Sequence, residues 1–168
     1  PGASIVREYS DILSDTAVEL VIVNTPDYLH YEMAMKALEA GKHIVVEKPF
    51  TLKTAEADEI INLGLKKDLM VSVFQNRRWD GDFLTVRQLL KSGELGRLVG
   101  YEARYDRWKP EPNAKAWKET PGPGAGMLYD LGSHLIDQAI ACFGIPKTIL
   151  RIVIARLDRV FKGGLKLH

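Results

Sequence analysis

Two groups of residues have the types and spacing that acid–base chemistry requires. Glu47, Lys48 and Pro49 close the apolar run Ile44-Val45-Val46, and Asp130 and His134 lie four positions apart in a later segment. An unbroken β-branched run reads as a strand buried on both faces, as in a parallel sheet. Ligands of open α/β sheets sit just beyond the carboxyl ends of the strands, where Glu47 and Lys48 fall. Pro49 fixes its own φ and restricts Lys48 before it to extended geometry, which aims the lysine. Residues four apart on a helix share a face, so the carboxylate of Asp130 and the imidazole of His134 project into one space. Imidazole titrates nearest physiological pH and suits a general base, while an ammonium stabilises charge developing on a reacting oxygen. Glu47 and Lys48 also read simply as the charged loop after a strand. Those residues alone leave both readings open.

The bulk properties narrow the field. The chain has 168 residues and a net charge of +1, enough for one sizeable core and too balanced for general nucleic-acid affinity. Its single cysteine, Cys142, excludes an internal disulfide and suits a reducing compartment. No run reaches the ~18 apolar residues that cross a bilayer, and residues 1–10 lack a signal-peptide pattern. The expectation is a soluble, cytoplasmic protein with no membrane or nucleic-acid partner and no metal site.

The elements that must position the two groups follow from periodicity. A short helix at Ser10–Ser14 precedes a buried strand at Val21-Ile22-Val23, closed by Asn24-Thr25-Pro26 with Asp27 as N-cap. Tyr28–Ala40 has helical spacing and is stopped by Gly41. Thr51 or Thr54 caps the next helix, which runs to about Lys67 with Ala55, Ile60, Ile61 and Leu63 inward. Leu69–Phe74 is a third strand, ending in Gln75-Asn76-Arg77-Arg78. Strands separated by helices form βαβ units and a parallel sheet, here half of a doubly wound one. No Gly-x-Gly-x-x-Gly turn joins a strand to a helix. In the order 3-2-1-4-5-6 these strands would be the fourth to sixth, so the fourth lacks its neighbour. Residues outside this sequence, rather than a second chain, are expected to complete the sheet.

The second half changes character. Phe83–Lys91 is an amphipathic helix stopped at Ser92-Gly93, and Leu98–Tyr105 alternates as an antiparallel strand would. Trp108–Thr120 reads as a loop over a cleft, and the glycines of 121–126 permit close backbone approach. A helix then runs from Met127 to Phe143 and stops at Gly144. Pro146-Lys147-Thr148-Ile149 enters a further strand, and the basic 151–168 stretch reads as a solvated tail or a mis-assembled stretch.

Leu38-Glu39-Ala40-Gly41-Lys42-His43, followed by Glu47-Lys48-Pro49, resembles the Gfo/Idh/MocA oxidoreductases. Asp130-Leu-Gly-Ser-His134-Leu-Ile-Asp137 behind a glycine-rich loop is similar to that family's second motif. Phe74-Gln75-Asn76-Arg77-Arg78-Trp79-Asp80 resembles a branch that includes scyllo-inositol dehydrogenase-like proteins. The likeness covers roughly Glu8 to Lys147 and ends before residues 151–159.

The resemblance implies an α/β architecture in two parts. Residues 1–76 would be the C-terminal half of a Rossmann domain, and 77–168 the start of an α/β substrate domain with an open, mostly antiparallel sheet. It implies NAD or NADP as cofactor, a small sugar or polyol substrate, and a homo-oligomer (dimer or tetramer). Lys48, Asp130 and His134 take the catalytic roles. Asn24, Thr25 and Pro26 would line the dinucleotide groove with His30 nearby, Glu47, Lys48 and Gln75 would flank the nicotinamide half, and Trp117 would reach in from the loop. Arg77 and Arg78 contact substrate or form ion pairs, and Asp137 is read as structural. Two other readings stay beside the enzyme: a dinucleotide-binding sensor or repressor of the same fold, and an inactive truncated product. This segment alone is not expected to be active.

Overall fold

The computed structural model describes residues 2–106 and 121–149. Three short strands, β1 (Leu20–Val23), β2 (His43–Glu47) and β3 (Val71–Phe74), pair in that order as one parallel sheet. Leu20 lies beside His43 and Val23 beside Val46, while Ile44 pairs with Val71 and Glu47 with Phe74. This register brings the ends of the strands level, with Glu47 as the last residue of β2.

Helices α2 (His30–Glu39) and α3 (Thr54–Lys67) make the crossovers and pack on each other and on the sheet. Val21, Val23, Ile44 and Val46 point to them and form a core with Ala34, Ala37, Leu38 and Ile60. The expected burial on both strand faces is corrected: Ile22 is 65% exposed and the alternate residues of β2 are only half-buried. Helices cover one face only among the described residues, so the strands alternate in burial although their side chains are uniformly apolar.

Chain-reversal chemistry is well satisfied after α2. Gly41 takes φ +76°, its N–H bonds to Leu38 O at 3.0 Å, and the Lys42 N–H bonds to Ala37 O at 3.0 Å. This is the paired arrangement that a C′ glycine allows. α1 (Tyr9–Ser14) docks on α2 through the Tyr9 hydroxyl, which donates to Met33 O at 2.9 Å. The other expected caps are corrected. Asp27 lies inside a 3₁₀ turn, Asp27–Leu29, rather than at an N-cap. Thr51 donates to Lys53 O at 2.8 Å, so neither Thr51 nor Thr54 caps α3. α3 is also rotated from its expected face. Ile60 and Gly64 are buried and Leu63 half-buried, whereas Ala55 and Ile61 are exposed. Gly64 permits this close packing, because a Cβ there would stand 2.4 Å from Val71 Cγ2.

In the second half α4 (Gly81–Ser92) ends at Gly93 with φ +77°. The expected strand at Leu98–Tyr105 is not present, and residues 146–149 form none either. Alternation makes a strand only where a neighbour supplies the opposing N–H and C=O groups, and among the described residues none is placed there. The described sheet is therefore parallel, and the antiparallel expectation is corrected. Tyr101 instead sets its ring edge-on to Phe143, with centroids 5.0 Å apart. The expected single helix from Met127 contains a wide π-type turn at Leu128–Gly132 before α5 (Ser133–Phe143). The readings of Trp108–Thr120, Trp117 among them, and of 151–168 lie outside the described residues.

Candidate active site

Lys48 leaves the end of β2 with its side chain only 11% exposed. The Lys48–Pro49 peptide bond is cis, and the Glu47 carboxylate accepts the Lys48 N–H at 3.3 Å. The ammonium crosses to the second half of the chain. It donates to the Asp130 carbonyl oxygen and lies 3.2 Å from Asp130 Oδ1. The wide turn places Asp130 there, with its N–H bonded to Gly126 O at 3.1 Å. An acid and a base 82 positions apart thus meet in a partly buried pair.

His134 stands one turn on, in the first turn of α5, and is 5% exposed. Its pKa is lowered from 6.5 to about 4, first by burial and then by the positive charges of Lys48 and Arg77, against the opposing pull of Asp130 and Asp80. The expectation of an imidazole titrating near neutral pH is corrected: the ring is held neutral there. Nδ1 is enclosed and has no hydrogen-bond partner. A buried nitrogen of this kind is costly unless something else engages it.

The segment after β3 is stitched to α5. Arg77 pairs with Asp80 at 2.8 Å, lies over the Tyr105 ring at 5.1 Å, and offers its carbonyl to Gln138 Nε2 at 3.0 Å. Arg78 makes a two-pronged bond to Asp137, at 2.7 and 2.6 Å. Both arginines form ion pairs, and Asp137 pairs with Arg78.

A cleft of about 180 Å³ opens at the carboxyl ends of β1 and β2. Asn24, Thr25, His30, Glu47, Lys48 and Asp130 line it together with Asp27, Pro49, Gly124 and Tyr129. Six of the residues expected at the site are therefore brought to one cleft. Pro26 and Gln75 are not among the lining residues, although Gln75 Oε1 and Thr25 Oγ1 are buried without partners. His134 is not among the lining residues, although it lies within the field of Lys48.

Asp27, Gly124 and Tyr129 were not anticipated as cleft residues. Asp27 is 4% exposed, and a Cβ on Gly124 would lie 2.4 Å from its Oδ2 and 2.8 Å from Leu52 Cδ2. With φ +75° as well, this position needs glycine on two counts. The sequence signal was the glycine-rich run itself, which marks close approach without naming its partner. No group of three or more His, Cys, Asp or Glu able to hold a metal occurs among the described residues, and no helix there is long and apolar enough to cross a membrane.

Parallel strands, crossover helices and a polar cleft at the strand ends define the class as an α/β protein of Rossmann type. The chain belongs to the Gfo/Idh/MocA oxidoreductase family: residues 1–75 match the family described as an oxidoreductase family with an NAD-binding Rossmann fold, and residues 83–162 match the GFO/IDH/MocA C-terminal domain. It is 45% identical over 158 residues to scyllo-inositol 2-dehydrogenase (NADP(+)) IolW of Bacillus subtilis, covering 94% of this chain and 44% of that protein. It is also 45% identical over 149 residues to C115.03 of Schizosaccharomyces pombe, an uncharacterized oxidoreductase, covering 89% of this chain and 40% of the other. The solved Bacillus subtilis protein yvaA, there called an oxidoreductase, superposes with TM-score 0.80 at 46% identity over 86% of this chain and 41% of its own. The chain thus spans less than half the length of these relatives.

Proposed function

We propose that this chain carries the reacting centre of an NAD(P)-dependent oxidoreductase that moves hydride between a sugar or polyol carbinol, inositol-like in class, and nicotinamide. The observation that carries the reading is the meeting of Lys48 and Asp130 at the strand ends, with buried, neutral His134 inside the field of the same ammonium. The 45% identity to an NADP(+)-dependent inositol dehydrogenase supports the substrate class. Residues 1–76 then serve the dinucleotide and 77–168 begin the substrate domain.

The residues present fit a dinucleotide. The cleft lies where such folds bind one, and Thr25 Oγ1 and Gln75 Oε1 are buried polar atoms without protein partners. Asn24, Thr25 and Pro26 would hold it beyond the end of β1, and Glu47, Lys48 and Gln75 beside its reacting end. Bound there, nicotinamide supplies the hydride acceptor.

The chain's own groups handle the proton. Lys48 donates a hydrogen bond to the reacting oxygen and makes its hydroxyl more acidic. His134 is neutral at pH 7 and takes that proton on an imidazole nitrogen. Its low proton affinity weakens it as a base, and the ammonium next to the oxygen offsets that loss by easing departure of the proton. Asp130 anchors Lys48 and favours the imidazolium once formed.

Titration with reduced nicotinamide dinucleotide, followed by fluorescence, tests the cofactor step, and a polyol panel tests turnover, both in an enzyme that carries this segment within complete dinucleotide and substrate domains. Saturable binding with polyol-dependent reduction is expected. Saturable binding with no turnover would favour a sensor, and no binding would remove the enzymatic reading for this chain.

A further inference from the structure

We propose that His30 is a positioning residue for Lys48, bolting the turn after β2 to the turn after β1 through the main chain; this rests on the reading of Lys48 given above. His30 opens α2 and is 1% exposed. Nδ1 lies 2.8 Å from Pro49 O, and Nε2 lies 3.0 Å from Thr25 O. Carbonyl oxygens only accept, so the ring N–H closes one of these contacts and the tautomer decides which. Both nitrogens face main-chain carbonyls of the two turns rather than a ligand. The ring borders the cleft and supports it from behind.

The consequence falls on Lys48. Pro49 is bonded to it directly, and from that anchored turn the lysine spans to Asp130. A rigid ring between two carbonyls fixes how far apart the ends of adjacent strands stand. Without it the Pro49 carbonyl loses its His30 partner, and the ammonium loses that fixed origin. A misplacement of about 1 Å in such a group costs about a hundredfold in rate.

The effect is readable without cofactor or turnover. Lys48 depresses the titration of His134, so anything that moves the ammonium moves the His134 midpoint. In the full apo chain, His30→Leu is expected to raise that midpoint in the same direction as Lys48→Met. In the Lys48→Met background, His30→Leu is expected to add nothing further. His30→Gln, which retains a donor, should recover part of the wild-type value and carries the comparison if His30→Leu fails to fold. A lowered melting temperature with the His134 midpoint unmoved would overturn the proposal and leave His30 as ordinary core. A tenfold or greater weakening of dinucleotide binding, with the midpoint unmoved, would overturn it in favour of a cofactor contact. Normal turnover by Lys48→Ala would instead strike the parent reading, which this titration does not probe.

Discussion

Replacing Lys48 by Met removes a charge while keeping most of the apolar stem, and His134 reports the loss. The imidazole falls from 6.5 to about 4, which corresponds to roughly 3 kcal/mol of preference for the neutral ring before solvent screening is allowed for. Burial is the largest cause and Lys48 the next, so deleting the ammonium returns part of that preference. The His134 midpoint should rise by roughly half to one pH unit in Lys48→Met. Asp130→Asn should move it the opposite way, because the carboxylate favours the charged ring. Proton NMR of the imidazole Cε1–H, assigned with His134→Gln among the chain's 4 histidines, reads both shifts. The same ring makes stability depend on pH. The unfolded chain binds the proton more tightly, so the His134 contribution is fully present above about 6.5 and is lost as pH falls toward about 4. Urea unfolding across that window should show a loss in wild type that is smaller in Lys48→Met. A wild-type His134 titrating at its ordinary value, or one indifferent to Lys48, would refute the juxtaposition of the two groups.

Three further outcomes follow from packing and pairing. Leu38 is fully buried between α2 and the sheet, and Leu38→Ala should cost about 2–5 kcal/mol in urea unfolding. Gly124→Ala forces a Cβ against Asp27 at a positive φ, and it should cost about 1–3 kcal/mol and weaken dinucleotide binding; an unchanged melting temperature and Kd would count against the seating of this loop on Asp27. The Arg78–Asp137 pair is two-pronged yet its arginine is 47% exposed, so a double-mutant cycle should give a coupling of only about 1 kcal/mol. That coupling should fall further in high salt.

The strands and helices of residues 9–92 were legible because each carries its own signal. β-branched runs sit between helices of regular spacing, and Gly41 and Gly93 stop two helices at positive φ. Which face of a strand is buried was not legible from Ile22 or Val45, since that depends on what covers the second side. The rotation of α3 brings Gly64 against Val71, a contact between elements that no local pattern encodes. Leu98–Tyr105 showed the limit of alternation as a signal, because a strand exists only with a partner. Lys48, Asp130 and His134 were legible from type and spacing. The widened turn that presents Asp130 was hidden behind an apparently continuous helix. The inward turn of His30, with both nitrogens on carbonyls, could not be read from its place at the helix start.

The most direct measurement of the central claim is polyol-dependent reduction of NAD or NADP by an enzyme that carries this segment within complete dinucleotide and substrate domains, compared among wild type, Lys48→Ala and His134→Ala at matched folded fraction. The account predicts turnover in wild type and a loss of about 10²–10⁴-fold in each variant. Equal turnover in all three would contradict it.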